Sequence, residues 1–175
     1  MTFAPLLAAS LAVAASSGPA VIGAVDLPRY MGTWYEVAVI PNGPQEGCVD
    51  TVVHYRLRKG PGFELLNTCY KGSKFKPYHG TAKPVAEGDT ARFTARFFLL
   101  FTSDYWIVDL DPEYRWAAVG GPARDRLWVI SREAALAPET YAAVVARAKV
   151  QGFPVEKLVK TVHTGRRPPA DPWSD

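Results

Sequence analysis

A repeated period of two constrains this chain more than any other feature. Val49, Thr51, Val53, Tyr55 and Leu57 fall on one face of a run, with Asp50, His54, Arg56 and Val52 on the other. Alternation of that kind marks a half-buried β-strand. Lys59-Gly60-Pro61-Gly62 then signals a turn, and Phe63 to Tyr70 returns as the second arm of a hairpin. Ala91, Phe93, Ala95 and Phe97 alternate with Arg92, Thr94 and Arg96, again giving one dry face and one wet. Gly32 to Ile40, Tyr78 to Val85, Asp104 to Leu110, Tyr114 to Val119 and Leu127 to Arg132 are further strand-like runs. Pro41-Asn42-Gly43-Pro44, Glu87-Gly88-Asp89, Asp111-Pro112-Glu113 and Gly120 to Asp125 supply turns between them.

Only after the eighth run does the period change. Pro138 to Gln151 reads as an amphipathic helix, with Tyr141, Val144, Val145 and Ala148 on its apolar stripe and Gly152 at its stop. Leu158 to Val162 reads as a last short strand, and 164–175 as a disordered tail. The pattern predicts an all-β fold: an eight-stranded antiparallel up-and-down β-barrel with one C-terminal α-helix packed outside. Such a barrel is just wide enough to hold one small ligand. Its 175 residues suit one domain, and a net charge of +3 is too weak to point to nucleic acid.

No charged residue occurs from Met1 to Val25, and Leu6 to Ala14 is an apolar stretch of signal-peptide length. Residues 1–24 therefore read as a signal peptide, with Ala12-Val13-Ala14 the better small-x-small cleavage pattern and Ile22-Gly23-Ala24 the weaker. Cys48 and Cys69 are the only cysteines. In an exported chain a disulfide between them is the default. Register opposes it: if Leu57 faces Phe63, Cys69 faces Thr51, about 10 Å along the strand from Cys48. A bridge needs Cα atoms within about 7 Å. A bulge near Gly47 would close that gap; otherwise Cys69 is a free thiol facing inward. His54, His79 and His163 show no ligand spacing, so neither a metal nor a cofactor is expected.

Three motifs carry a family resemblance. Gly32-Thr33-Trp34, preceded by Tyr30, resembles the G-x-W motif on the first strand of lipocalins. Asp111-Pro112-Glu113-Tyr114 resembles the family's turn between strands six and seven, and Arg132 its lone Arg after strand eight. The runs Gly-Thr-Trp-Tyr-Glu-Val-Ala and Tyr-Arg-Trp-Ala-Ala-Val-Gly-Gly-Pro are most similar to bacterial outer-membrane lipocalins. The resemblance spans 27–163, the barrel plus helix. It implies a cup that holds an apolar molecule, with Trp34 plugging the closed end and Arg132 across its indole. Gly32, Trp34, Asp111, Tyr114 and Arg132 are thereby structural.

Strand parity nominates Ala38, Val53, Tyr55, Leu65, Asn67, Phe93, Phe97, Tyr105, Trp116 and Trp128 as the lining. Glu36 shares parity with Trp34 and needs a partner or a raised pKa if it points inward. Arg92 and Arg96, on an outer face, are expected to be solvated or, with Lys71, Lys74 and Lys76, to form a basic rim for anionic head groups. The expected function is non-covalent binding, storage or transport of a fatty acid or lysophospholipid, in cell-envelope maintenance. Peripheral contact with a membrane surface fits that role. The place is periplasmic or secreted; outer-membrane association is weakened by the missing lipid-anchor cysteine. Two rivals stay open: a lipid-converting enzyme acting through a Cys69 thiol, and a partner-binding module acting through the open-end loops.

Overall fold

The structure is a computed structural model that describes residues 18–97, 101–167 and 173. Eight strands form the barrel: β1 (Gly32–Val39), β2 (Val49–Leu57), β3 (Phe63–Lys71), β4 (Lys74–Pro84), β5 (Arg92–Phe97), β6 (Phe101–Leu110), β7 (Trp116–Gly120) and β8 (Leu127–Ser131). Each pairs antiparallel with the next, and β8 and β2 both pair with β1, which closes the cylinder. A one-turn helix α1 (Leu27–Tyr30) leads into β1, and α2 (Pro138–Val150) packs outside. A two-residue strand β9 (Val159–Lys160) pairs with Ala38 and Val39, the end of β1 beyond its pairing with β2. Closure removes sheet edges, which is how a chain of short strands avoids leaving its backbone unpaired.

The hairpin of β2 and β3 has the predicted register, Leu57 opposite Phe63. β4 starts four residues before the expected Tyr78, because Pro77 is tolerated opposite Thr68 and the ladder continues through it. Tyr114 belongs to the β6–β7 turn rather than to β7, with φ of 59°.

Two packed layers hold the barrel. Inside, at the closed end, Tyr30, Trp34, Phe63 and Phe93 are fully buried. Outside, Val144 and Ala148 of α2 cover Val37, Ala38, Val108, Ala118 and Val129 of the wall. Phe153 completes that layer over Gly120, where a Cβ would stand 2.6 Å from its ring.

Cys48 and Cys69 form a disulfide, with Cα atoms 5.6 Å apart. The register objection is met by a bulge between Val49 and Val52, where Asp50 takes a φ of 52°. That bulge draws Cys48 back toward Cys69. Removing the bridge in a Cys48→Ala/Cys69→Ala double variant is expected to cost about 3 kcal/mol, for a loop of 21 residues. Urea unfolding checks this; an unchanged midpoint would deny the bridge any restraint on the unfolded chain.

Both ends of the described chain depart from expectation. Residues 18–24, placed in the leader, lie against the barrel: Pro19 is buried and the Ile22 N–H donates to Ile107 O at 3.2 Å. The apolar run 6–14 lies outside the described residues. Residues 164–167, placed in a disordered tail, are docked. Asp50 accepts from the Thr164 hydroxyl at 2.7 Å and from Arg166 Nε at 3.2 Å, and Tyr70 Oη donates to Arg167 O at 3.0 Å. Burial pushes the Asp50 carboxyl up, but these bonds outweigh it and hold the group below the usual carboxylate range.

Candidate functional site

The open half of the barrel encloses a cavity of about 300 Å³, at the lower end of the range of small-molecule sites. Val53, Tyr55, Leu65, Asn67, Phe97, Tyr105 and Trp128, all nominated from parity, line it, and so does Glu36. Three nominated residues do not. Ala38 faces α2 because a bulge between Glu36 and Ala38 reverses the parity of β1. Trp116 is on the outer face, under the Arg147 guanidinium at 5.1 Å, since Ala117 and Val119 take the inward positions of β7. Phe93 does point inward but sits too deep: its ring is 4.9 Å from that of Phe63, in the packed floor.

Other lining residues escaped the sequence reading. Val119 and Ile130 carry the inward parity of their strands and were legible in principle. Asn42 and Gln45 lie in the β1–β2 loop, where no periodicity applies. Thr51, Tyr78, Phe101, Ser103, Asp104 and Arg126 complete the wall and rim, and Ala95 leaves space in it.

The motif residues meet in the floor of the barrel and in the turn beside it. The Arg132 guanidinium lies 3.8 Å from the Trp34 ring centroid and donates to the carbonyls of Thr33 at 2.9 Å and Arg29 at 2.8 Å. Gly32, with φ of 96°, brings the backbone close beneath that guanidinium. Trp34 Nε1 donates to Tyr30 O at 2.8 Å. Asp111 closes the β6–β7 turn by accepting Nε and Nη2 of Arg115 at 2.8 and 2.9 Å, and this contact above all holds its carboxyl below the usual range. Tyr114 Oη accepts from the Asp26 N–H at 2.9 Å and so ties α1 to that turn.

Two polar features interrupt the apolar cup. Tyr30, Tyr105 and Tyr55 join their hydroxyls in a chain at 2.7 Å per link, and burial holds all three phenols protonated. On the β1 wall, Glu36 is 4% exposed. Its carboxyl accepts from Thr161 Oγ1 at 2.6 Å and from Gln45 Nε2 at 3.1 Å. Gln45 is itself fixed by Asn42 and Trp128 Nε1 at 3.0 and 2.9 Å. Burial raises the Glu36 pKa to about 7, with hydrogen bonds from Thr161, Gln45 and Thr51 pulling the other way.

No group of His, Cys, Asp and Glu suited to a metal occurs among the described residues. Cys69 is bonded to Cys48, so the thiol on which the enzymatic rival rested is engaged. Arg92 and Arg96 are exposed, as the alternation of β5 implies, and the alternative of a basic rim is incomplete because Arg92 is at the closed end, paired with Asp89 at 2.6 Å.

A family model described as a lipocalin-like domain matches residues 25–163. The temperature-induced lipocalin-1 of Arabidopsis thaliana is 34% identical over 158 residues, covering 85% of this chain and 84% of that one. The outer membrane lipoprotein Blc of Citrobacter freundii is 35% identical over 163 residues, covering 89% and 92%. Among solved structures, lobster apocrustacyanin A1 superposes with a TM-score of 0.64 at 20% identity, covering 83% of this chain and 89% of that one. Insecticyanin from the tobacco hornworm gives 0.64 at 15% identity, covering 82% of each chain.

Proposed function

The chain belongs to the lipocalin family, whose members bind small hydrophobic ligands, and from that premise we propose that it carries or stores a single-chain lipid, a fatty acid or lysophospholipid, by reversible burial in the barrel. The observation that carries this reading is the open cavity of about 300 Å³ walled by Tyr55, Leu65, Phe97 and Trp128. Removing an alkyl chain from water into such a cup is favourable by roughly 25 cal/mol per Å². No covalent step is needed.

The proposed setting is the bacterial cell envelope, in the periplasm, in maintenance of its lipids. Support comes from the leader-like run 6–14 and from relatives that bear the name outer membrane lipoprotein. Cleavage after Ala14 fits better than cleavage after Ala24, because the contacts of Pro19 and Ile22 with the barrel then survive. Among the described residues no helix is long and apolar enough to cross a membrane. Contact with the membrane surface at the open rim, where Phe101 is 39% exposed beside Arg126, fits a carrier that loads from a bilayer.

Native mass spectrometry of protein taken from the periplasm without detergent is the test. A co-purifying mass of lipid size is expected for the wild type. It should be absent from Ala95→Trp, whose indole would occupy the space left by a 1% exposed alanine on the cavity wall. Circular dichroism checks that the variant is folded. A wild type that stays empty after incubation with fatty acids and lysophospholipids overturns the carrier reading.

A further inference from the structure

The polar wall of the cavity is unfinished. Glu36 accepts from Thr161 on one carboxyl oxygen and from Gln45 on the other, the Thr51 hydroxyl stands beside it as a third donor, and all three are neutral. Among the described residues no cation pairs with it. Three donors leave the carboxylate, with about four acceptor positions, room for one more. Thr51 is buried, 3% exposed, and lines the same cavity; its hydroxyl has no partner other than the Glu36 carboxyl beside it. Buried polar groups are nearly always satisfied and buried charges nearly always paired, so a carboxyl held only by neutral donors on the wall of an open cavity calls for compensation from outside the chain.

We infer that Glu36 and Thr51 form a head-group site that selects single-chain amphiphiles whose polar end donates hydrogen bonds, a hydroxyl or an ammonium, over those ending in a carboxylate. The inference rests on the carrier reading and narrows it, favouring a lysophospholipid whose head group donates hydrogen bonds over an ionised fatty acid. A donor reaching Glu36 supplies the compensation that the buried carboxyl lacks within the protein. An ammonium gains most, since both partners of the bond are then charged. A ligand carboxylate meets like charge and binds only when a proton is taken up and shared between the two acids.

The surroundings of Glu36 do not cancel this selectivity. From the C-terminal segment come Thr161 and His163, the latter bonded through Nε2 to the Glu36 backbone carbonyl. β2 contributes the un-ionised phenol of Tyr55. Across the cavity lie Asp104 and Arg126, whose Nη1 donates to Ser103 at 2.8 Å. Since Glu36 loses its proton near pH 7, the preference for an ammonium should grow as pH rises past neutrality, and the binding of a carboxylate should weaken.

The probes are dodecylamine, dodecanol and dodecanoate, titrated below micelle formation by isothermal calorimetry at about pH 6 and about pH 8.5. At the higher pH dodecylamine is expected to bind at least roughly tenfold more tightly than dodecanoate, from one charge-assisted bond. Glu36→Gln should bring the two within about threefold of each other while leaving dodecanol within about threefold of wild type. Thr51→Val keeps the side-chain shape and should weaken dodecanol by about threefold or more. It provides the test if Glu36→Gln is poorly folded. An amine-to-acid ratio that is unity, or that is unchanged in both variants, overturns the head-group site while leaving the carrier reading intact. Stronger binding of dodecanoate at both pH values does the same and transfers the role to Arg126. Failure of all three probes to bind overturns the carrier reading and the site together.

Discussion

Replacing Trp34 by Ala is expected to cost about 3–5 kcal/mol, a large part of the stability of a domain this size. The indole is fully buried in the barrel floor. It packs against the Tyr30 ring at 5.1 Å on one side and under the Arg132 guanidinium at 3.8 Å on the other. Truncation removes that burial and leaves a void which Tyr30 and Phe63, in a floor already closely packed, do not fill. It also leaves Arg132 without the ring it covers, a contact worth about 0.5–2 kcal/mol. Trp34→Phe should cost less, about 1–3 kcal/mol, through loss of the Nε1–H bond to Tyr30 O and of part of the ring. Urea unfolding of both variants gives the values. A Trp34→Ala loss below about 1 kcal/mol would mean that the floor is held by the phenol chain and not by the indole.

What was readable in the sequence, and what was not, follows the reach of a period of two. Where a strand runs unbroken, as β3 does and β2 does from Val52 onward, alternation puts Val53, Tyr55, Leu65 and Asn67 on the cavity side. A single bulge defeats it. Beyond the irregularity at Glu36 and Ala38 the parity of β1 inverts, and Ala38 turns to α2. The bulge at Asp50 and Thr51 likewise brings Cys48 within reach of Cys69 against the simple register. Parity is also blind to depth, which is why Phe93 points inward and still misses the cavity. Trp116 shows a third limit: size and apolarity drew it inward, but the small Ala117 occupies that face and α2 covers the tryptophan. Gln45, Thr161 and Arg126 reach the site from outside any alternating strand, and nothing local marks them. Residues 164–167 read as tail because composition records polarity, whereas Asp50 offers Thr164 and Arg166 an acceptor more than a hundred positions away in the chain.

Glu36→Gln is expected to make the protein more stable above neutrality, by about 3 kcal/mol, and to alter its pH dependence in a defined direction. The Glu36 pKa is raised from 4.5 to about 7 by burial, so between these values the folded chain holds a proton that the unfolded chain has released. Stability therefore falls as pH rises through that window, because the native state binds more protons than the unfolded one. The loss is complete above about pH 7 and is absent below about pH 4.5. At about 1.4 kcal/mol per pKa unit it amounts to the figure given. Gln keeps the shape, with its oxygen accepting from Gln45 Nε2 and its NH2 donating to the Thr161 hydroxyl, which turns to accept, and it has no charge to bury. Asp50 and Asp111 titrate in the opposite sense, since hydrogen bonds with Thr164, Arg166 and Arg115 hold them below the usual range. Their contribution is common to both proteins and cancels in the difference. Urea unfolding at intervals between about pH 4.5 and pH 8 should show the variant's advantage growing through the window and then levelling. Parallel curves would mean that water reaches the carboxyl and that it titrates as an ordinary acid. An acid that destabilises the empty barrel at neutral pH is also one that a hydrogen-bond-donating ligand can repay. The same substitution that raises the stability of the empty form should therefore narrow the gain in stability on adding dodecylamine, and these two effects have a common cause in the buried charge.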